Sequence, residues 1–113
     1  YIDGEKILET DMVSGTYTNP SRRTPPGTYT LYWKKSPAVL KSDKPGDSYE
    51  NPVTYWMPFN GGIGLHDANW RGSFGGSIYM YSGSHGCINL PTSAAKVIYD
   101  NIYKGMPIIC YYR

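Results

Sequence analysis

The chain has 113 residues, with 11 Lys and Arg against 9 Asp and Glu and a formal net charge of +2, a balance too near neutral to favour nucleic acid as a partner. Its length suits one domain that buries about 65% of its unfolded surface and so needs no disulfide staples. Two cysteines give no disulfide framework, and no apolar run approaches the roughly 20 residues of a membrane span.

Thirteen glycines, 9 prolines and 12 tyrosines favour strands and turns. The predicted architecture is mainly β, a β-sandwich-like arrangement of mixed sheets, with one core-packing α-helix near the C-terminus. The start, Tyr1-Ile2-Asp3-Gly4, resembles no signal peptide and has no initiator methionine. The chain is therefore read as a folded piece of a longer protein, with any export signal or anchor upstream. Residues 1–113 form a single domain, in which 1–15 reads either as the end of a preceding linker or as a first strand.

Taken in order, Asp3-Gly4 and Ser14-Gly15 bracket a strand over 6–13, with imperfect alternation. Residues 28–33 alternate well, with Tyr29, Leu31 and Trp33 on one face and the threonines and Tyr32 on the other. Residues 34–52 are polar and broken by three prolines, which predicts a long excursion over the surface. Residues 53–57 and 63–66 read as strands joined through Pro58 and the hairpin signal Asn60-Gly61-Gly62, with His66 at the end of the second. Residues 67–77, with three glycines and Trp70-Arg71, form a loop, and 78–81 a short strand. After the turn at Ser82-Gly83, Pro91-Thr92-Ser93 opens a helix whose apolar positions are Val97, Ile98 and Ile102, ended by Gly105 and Pro107. Residues 108–112 close the domain as an apolar strand, with Cys110 in the core.

The chemistry concentrates in Ser84-His85-Gly86-Cys87-Ile88-Asn89. A thiol stands two residues after an imidazole, and the second histidine, His66, lies upstream with 18 residues between the two. A Cys–His pair is the minimal equipment for acyl transfer: the thiolate attacks, and the imidazole generates it and then carries a proton to the leaving amine. In an extended segment His85 and Cys87 would lie about 6.6 Å apart, long for a direct hydrogen bond. His66, arriving from another strand, is the better base, and His85 a second polar group that orients or stabilises.

Asp67 follows His66 directly, and strand neighbours point to opposite faces, so a backbone carbonyl is the expected partner of the His66 ring. Gly86 lets the backbone approach a substrate and aim the amides of Gly86 and Cys87 at a developing oxyanion. Ser84 can hydrogen-bond either histidine. Asn89 shares the Cys87 side, near a substrate backbone, and Trp70 and Arg71 offer an apolar wall and a carboxylate contact. Read blandly, Cys87 is a small buried hydrophobe, and Ser84 and Gly86 merely bend the chain.

These residues resemble the catalytic domain of L,D-transpeptidases of the YkuD type, whose motif is a histidine, a variable gap, then Ser/Thr-His-Gly-Cys-hydrophobic-Asn/Arg. His66, a 17-residue gap and Ser84 through Asn89 fill every position. Thr24-Pro25-Pro26-Gly27-Thr28-Tyr29 resembles a turn and strand early in that domain, whereas Asp67 departs from the small residue common after the histidine. The resemblance implies a cysteine peptidoglycan transpeptidase that attacks the third, L-centred residue of a stem peptide, releases terminal D-alanine and forms a 3→3 cross-link. It implies catalytic roles for Cys87, His66 and His85, with Ser84 and Gly86 in support, and acylation of Cys87 by carbapenems. The expected partners are donor and acceptor stem peptides, acting on the cell-wall side of the membrane in a monomer without cofactor or metal. Rival readings are an L,D-carboxypeptidase with water as acceptor, a zinc site on His66, His85, Cys87 and Asp67, whose spacing matches no compact finger, and a non-catalytic wall-binding module.

Overall fold

The strand that carries His66 is central to the architecture. The computed structural model describes residues 4–19, 22–42, 49–76, 78, 83, 84 and 86–111, with backbone alone at Lys41, Ser42 and Tyr49. The strands are β1 (Gly27–Thr30), β2 (Ala38–Ser42), β3 (Tyr49–Val53), β4 (Trp56–Asn60), β5 (Ile63–Asp67), β6 (Ile88–Leu90) and β7 (Pro107–Cys110), with helix α1 (Thr92–Asn101) between the last two. They form a three-stranded sheet β4-β5-β6, antiparallel then parallel, and two antiparallel pairs, β1-β7 and β2-β3. Among the described residues the fold is mainly β with mixed sheets and a packed helix near the C-terminus, as composition predicts.

Side chains alternate across a strand, and the central sheet uses both faces. On one face Met57, Phe59, Leu65, Ile88 and Leu90 pack against Leu31, Ala95, Ile98, Ile102 and Ile108. On the other, Trp56 and Cys87 join Ala38, Leu40 and Val53 of the β2-β3 hairpin, beside His66 and Asn89. The register His66↔Asn89 puts those two polar side chains abreast, flanked by the apolar pair Leu65↔Ile88 on the opposite face. Helix α1 begins at Pro91, whose carbonyl accepts the Ala95 N–H at 3.0 Å. It buries Ala94 and Ala95, and Ile102 closes it by donating to the Ile98 carbonyl at 2.8 Å.

Several sequence expectations are corrected. Residues 6–13 are not a strand: the segment is largely exposed, with Ile7 and Met12 on the surface, and pairs with the sheet only where Val13 bridges Asn89. Glu5, Glu9 and Asp11 interrupt any apolar face. Residues 34–52 are no mere excursion, since β2 and β3 lie within them in register Ala38↔Val53 to Ser42↔Tyr49. One face of this hairpin meets solvent at Val39 and Glu50, which gives it a polar composition, and Pro52 is tolerated in a two-stranded ribbon with open edges. Val53 consequently ends β3, and the next strand starts at Trp56.

Trp33 is exposed instead of sharing the buried face of Tyr29 and Leu31, because β1 has ended and the chain leaves β7. Ile78 is helical, not extended, and residues 79–81 lie outside the described residues. Val97 sits at the exposed edge of α1. Cys110 is half-buried and packs against the core cluster of Phe59, Ile88, Leu90 and Ala95, while Ile109, its neighbour on the opposite face of β7, is exposed. Tyr112 lies outside the described residues.

Candidate active site

His66 reaches its place through the β4-β5 hairpin and is 4% exposed. Its Nδ1 lies 2.8 Å from the Asp67 backbone carbonyl. A carbonyl oxygen only accepts, so Nδ1 carries the proton and Nε2 keeps a lone pair. The ring is held between Trp56 and Trp70, at centroid distances of 6.0 and 5.8 Å. Burial pushes the imidazole pKa below its ordinary 6.5, the Asp67 carbonyl and carboxylate partly oppose this, and Arg71 adds to the lowering. A neutral imidazole with a free lone pair is a proton acceptor.

Asp67 is 1% exposed, and its carboxylate turns away from the ring to accept the Thr54 and Tyr55 N–H groups, each at 2.8 Å. One residue therefore holds the histidine through its backbone and the β3-to-β4 corner through its side chain. The N–H groups of that corner have no strand partner at the break, which is why a buried carboxylate is satisfied there.

Cys87 follows Gly86, whose φ of +126° falls in the region that disfavours side chains. The thiol is 6% exposed and directed at the Gly62 carbonyl, 3.6 Å away. Desolvation pushes its pKa up from 9.0 to about 11, with a Gly64 backbone hydrogen bond partly opposing. Both Cys87 and Cys110 are free thiols. The sulfur-bearing residue opens on a cavity of about 150 Å³, lined also by Leu40, Asn51, His66, Trp70, Arg71, Gly83, Ser84 and Asn89.

Of the residues picked out from sequence, Cys87, His66, Ser84, Trp70, Arg71 and Asn89 thus meet at one cavity, while His85 lies outside the described residues. Ser84 does not turn to His66. Its hydroxyl donates to the Cys87 carbonyl and accepts the Gly86 N–H at 3.2 Å, so it braces its own loop, and the Gly86 amide is engaged there rather than aimed at a substrate. Asn89 is 2% exposed, its backbone is paired with Val13, and its Oδ1 has no hydrogen-bond partner among the described residues. Trp70 is 48% exposed and forms a rim; burial lowers the pKa of the Arg71 guanidinium beside it.

Sequence reasoning missed Leu40 and Asn51, which the β2-β3 hairpin brings over the site; the apolar alternation Ala38, Leu40 was the available signal. A larger cavity of about 530 Å³ lies on the opposite sheet face, against Leu65 and Ile88, and of the described motif residues Ile88 alone lines it. Among the described residues no three His, Cys, Asp or Glu side chains cluster closely enough to hold a metal ion.

Residues 1–110 match the model of the L,D-transpeptidase catalytic domain, YkuD. The chain belongs to this family. A comparison with curated protein sequences returned no match. Among solved structures, a crystal structure of an Enterococcus faecium L,D-transpeptidase mutant is 41% identical over 98% of this chain and 44% of that one, with a TM-score of 0.89. The catalytic domain of an E. faecium L,D-transpeptidase acylated by ertapenem is 42% identical, covering 98% and 85%, with a TM-score of 0.84. An L,D-transpeptidase from Mycobacterium smegmatis is 31% identical, covering 97% and 51%, with a TM-score of 0.79. The chain thus spans under half of the E. faecium crystal structure and about half of the M. smegmatis protein.

Proposed function

We propose that this L,D-transpeptidase domain uses Cys87 as nucleophile and His66 as general base to form 3→3 cross-links between peptidoglycan stem peptides. The observation that carries this reading is the shared cavity of a thiol and a neutral imidazole whose free lone pair is Nε2.

The resting thiol is protonated at neutral pH. As Sγ bonds to the carbonyl carbon of the L-centred third residue, its proton passes to His66 Nε2 and the carbonyl oxygen becomes an oxyanion. The tetrahedral centre collapses by breaking the C–N bond, His66 returns its proton to the leaving nitrogen, and D-alanine departs. The thioester is then attacked by the side-chain amine of a second stem. That amine gives a proton to His66, the C–S bond breaks, and the sulfur regains the proton. Asn89 Oδ1, a buried acceptor, takes a substrate N–H, since leaving it unmet costs about 1–3 kcal/mol. Leu40, Trp70 and Arg71 wall the donor, with His85 as a second polar group.

The substrate places the reaction on the cell-wall side of the membrane. A carbapenem presents a strained carbonyl to the same sulfur, and a relative's catalytic domain is described as acylated by ertapenem. The test is a defined tetrapeptide donor with and without an acceptor stem, products weighed. Release of D-alanine with a cross-linked product supports transfer; release without it, at any acceptor concentration, makes the domain a carboxypeptidase. No release, or release retained by Cys87→Ala, refutes the nucleophile.

A further inference from the structure

The Thr24-Pro25-Pro26-Gly27 turn contributes nothing to the chemistry above, yet the Thr24 side chain is buried against it. Its hydroxyl joins two backbone groups from distant segments, accepting the Gly15 N–H at 2.8 Å and donating to the Gly86 carbonyl at 2.5 Å. Gly15 is itself fixed to the catalytic loop. Ser84 N–H donates to Ser14 O at 2.8 Å, and Thr16 N–H donates back to Ser84 O at 3.0 Å. No side chain fits where residues 14–16 meet either neighbour: a Cβ on Gly15 would fall 1.8 Å from the Arg22 carbonyl oxygen, and one on Gly83 would fall 2.5 Å from the Ser14 carbonyl oxygen.

A trans peptide is planar, and its C=O and N–H point in opposite directions. A grip on the Gly86 carbonyl therefore also sets the aim of the Cys87 N–H. The neighbouring peptide groups are occupied, because the Ser84 hydroxyl takes the Gly86 N–H and donates to the Cys87 carbonyl. The amide of a nucleophilic residue is a natural oxyanion donor, being covalently tied to the atom that bonds the acyl carbon.

We infer that Thr24 is a positioning residue for oxyanion stabilisation: its hydroxyl, anchored by the Gly15 N–H, fixes the 86–87 peptide plane so that the Cys87 N–H faces the tetrahedral oxygen. The inference rests on the reading of Cys87 as nucleophile.

Two reactions of one sulfur separate this role from a purely structural one. Acylation by a carbapenem develops an oxyanion, whereas alkylation by iodoacetamide displaces iodide and develops none. In Thr24→Val, which keeps the shape and removes the hydroxyl, the acylation rate constant at saturating carbapenem falls about 10²-fold, the scale of one lost oxyanion donor. Alkylation of Cys87, followed by peptide mass, stays close to the wild-type rate. Thr24→Ser restores acylation, and Ile98→Val, a core change remote from the loop, leaves it unchanged. Should Thr24→Val fail to fold, Thr24→Cys, with its weak S–H donor, shows the same selective loss.

Wild-type acylation rates in the Val or Cys variant overturn the inference, as does equal slowing of acylation and alkylation, or an Ile98→Val variant slowed alongside. A wild-type protein that is not acylated at Cys87 removes the nucleophile reading and this inference with it. Acylated wild type beside an unimpaired Thr24→Val removes this inference alone.

Discussion

Removing the Cys87 sulfur should change the pH dependence of stability in a predictable direction. The folded thiol ionises at about 11 against an ordinary 9.0, and desolvation is the leading cause. Between those values the unfolded chain has lost the proton and the folded one has kept it. The folded state then binds more protons, so unfolding free energy falls as pH rises from 9 through 11. Integrated from pH 8 to pH 10.5, this single group removes about 2 kcal/mol. The many tyrosines and lysines titrate over the same range, so the quantity to measure is the difference between wild type and Cys87→Ala, in which they cancel.

Urea unfolding of both proteins at pH 8, 9, 10 and 10.5 provides that difference. At pH 8 wild type should be the more stable, because alanine leaves a small void. By pH 10.5 the gap should have moved by about 2 kcal/mol in favour of alanine. A gap that stays constant refutes the desolvated thiol, and one that moves in the opposite direction shows a thiolate stabilised by its surroundings. The kinetic counterpart is alkylation of Cys87, which should still be rising at pH 10.

With His66 as the proposed base, rate should also fall as pH drops through the His66 pKa, since a base works as the neutral ring. Burial puts that limb below 6.5 in a carbapenem acylation profile. Asp67→Asn removes a charge that raises the His66 pKa and moves the limb lower, and Arg71→Gln moves it higher; unmoved limbs would contradict the electrostatics. Asp67→Ala takes the acceptor from the part-buried Thr54 and Tyr55 N–H groups, at about 1 kcal/mol each, whereas Asp67→Asn retains an acceptor and loses less; urea midpoints check the order. Phe59→Ala, opening the core between β4 and α1, should lose about 3–5 kcal/mol, and a loss under about 1 kcal/mol would mean that this face is not packed.

The parts legible in sequence are those in which one residue type admits few environments. Asn60-Gly61-Gly62 specified the turn that delivers His66, the Ser84–Asn89 block marked the loop of Cys87, and Val97–Ile102 marked α1 at helical period. The β2-β3 hairpin was hidden because a ribbon with one wet face and open edges reads as polar and proline-broken, and with it went the placement of Leu40 and Asn51. Sequence spacing also could not say where hydroxyls point. Ser84 turns into its own loop, and Thr24, 62 residues from Gly86 in the chain, grips that loop from outside it. Such contacts depend on which segments the tertiary fold brings together, here 13–16 and 22–24 against 83–89.

The two perturbed groups together constrain when the charge separates. Moving a proton from a thiol at about 11 to an imidazole below 6.5 costs more than about 6 kcal/mol if the charges do not interact. Even if substrate binding brought the two as close as 4 Å, attraction between thiolate and imidazolium would return only about 4 kcal/mol at an effective dielectric of 20. The resting site is thus a neutral pair, with the ion pair the less stable state. Burial keeps it so, and the same burial strengthens any donor aimed at the oxyanion once the C–S bond begins to form. If Cys87 is the nucleophile proposed above, negative charge on its sulfur is best produced as it passes to the carbonyl oxygen. This is why the geometry of the 86–87 peptide, and not thiolate population alone, should govern the rate.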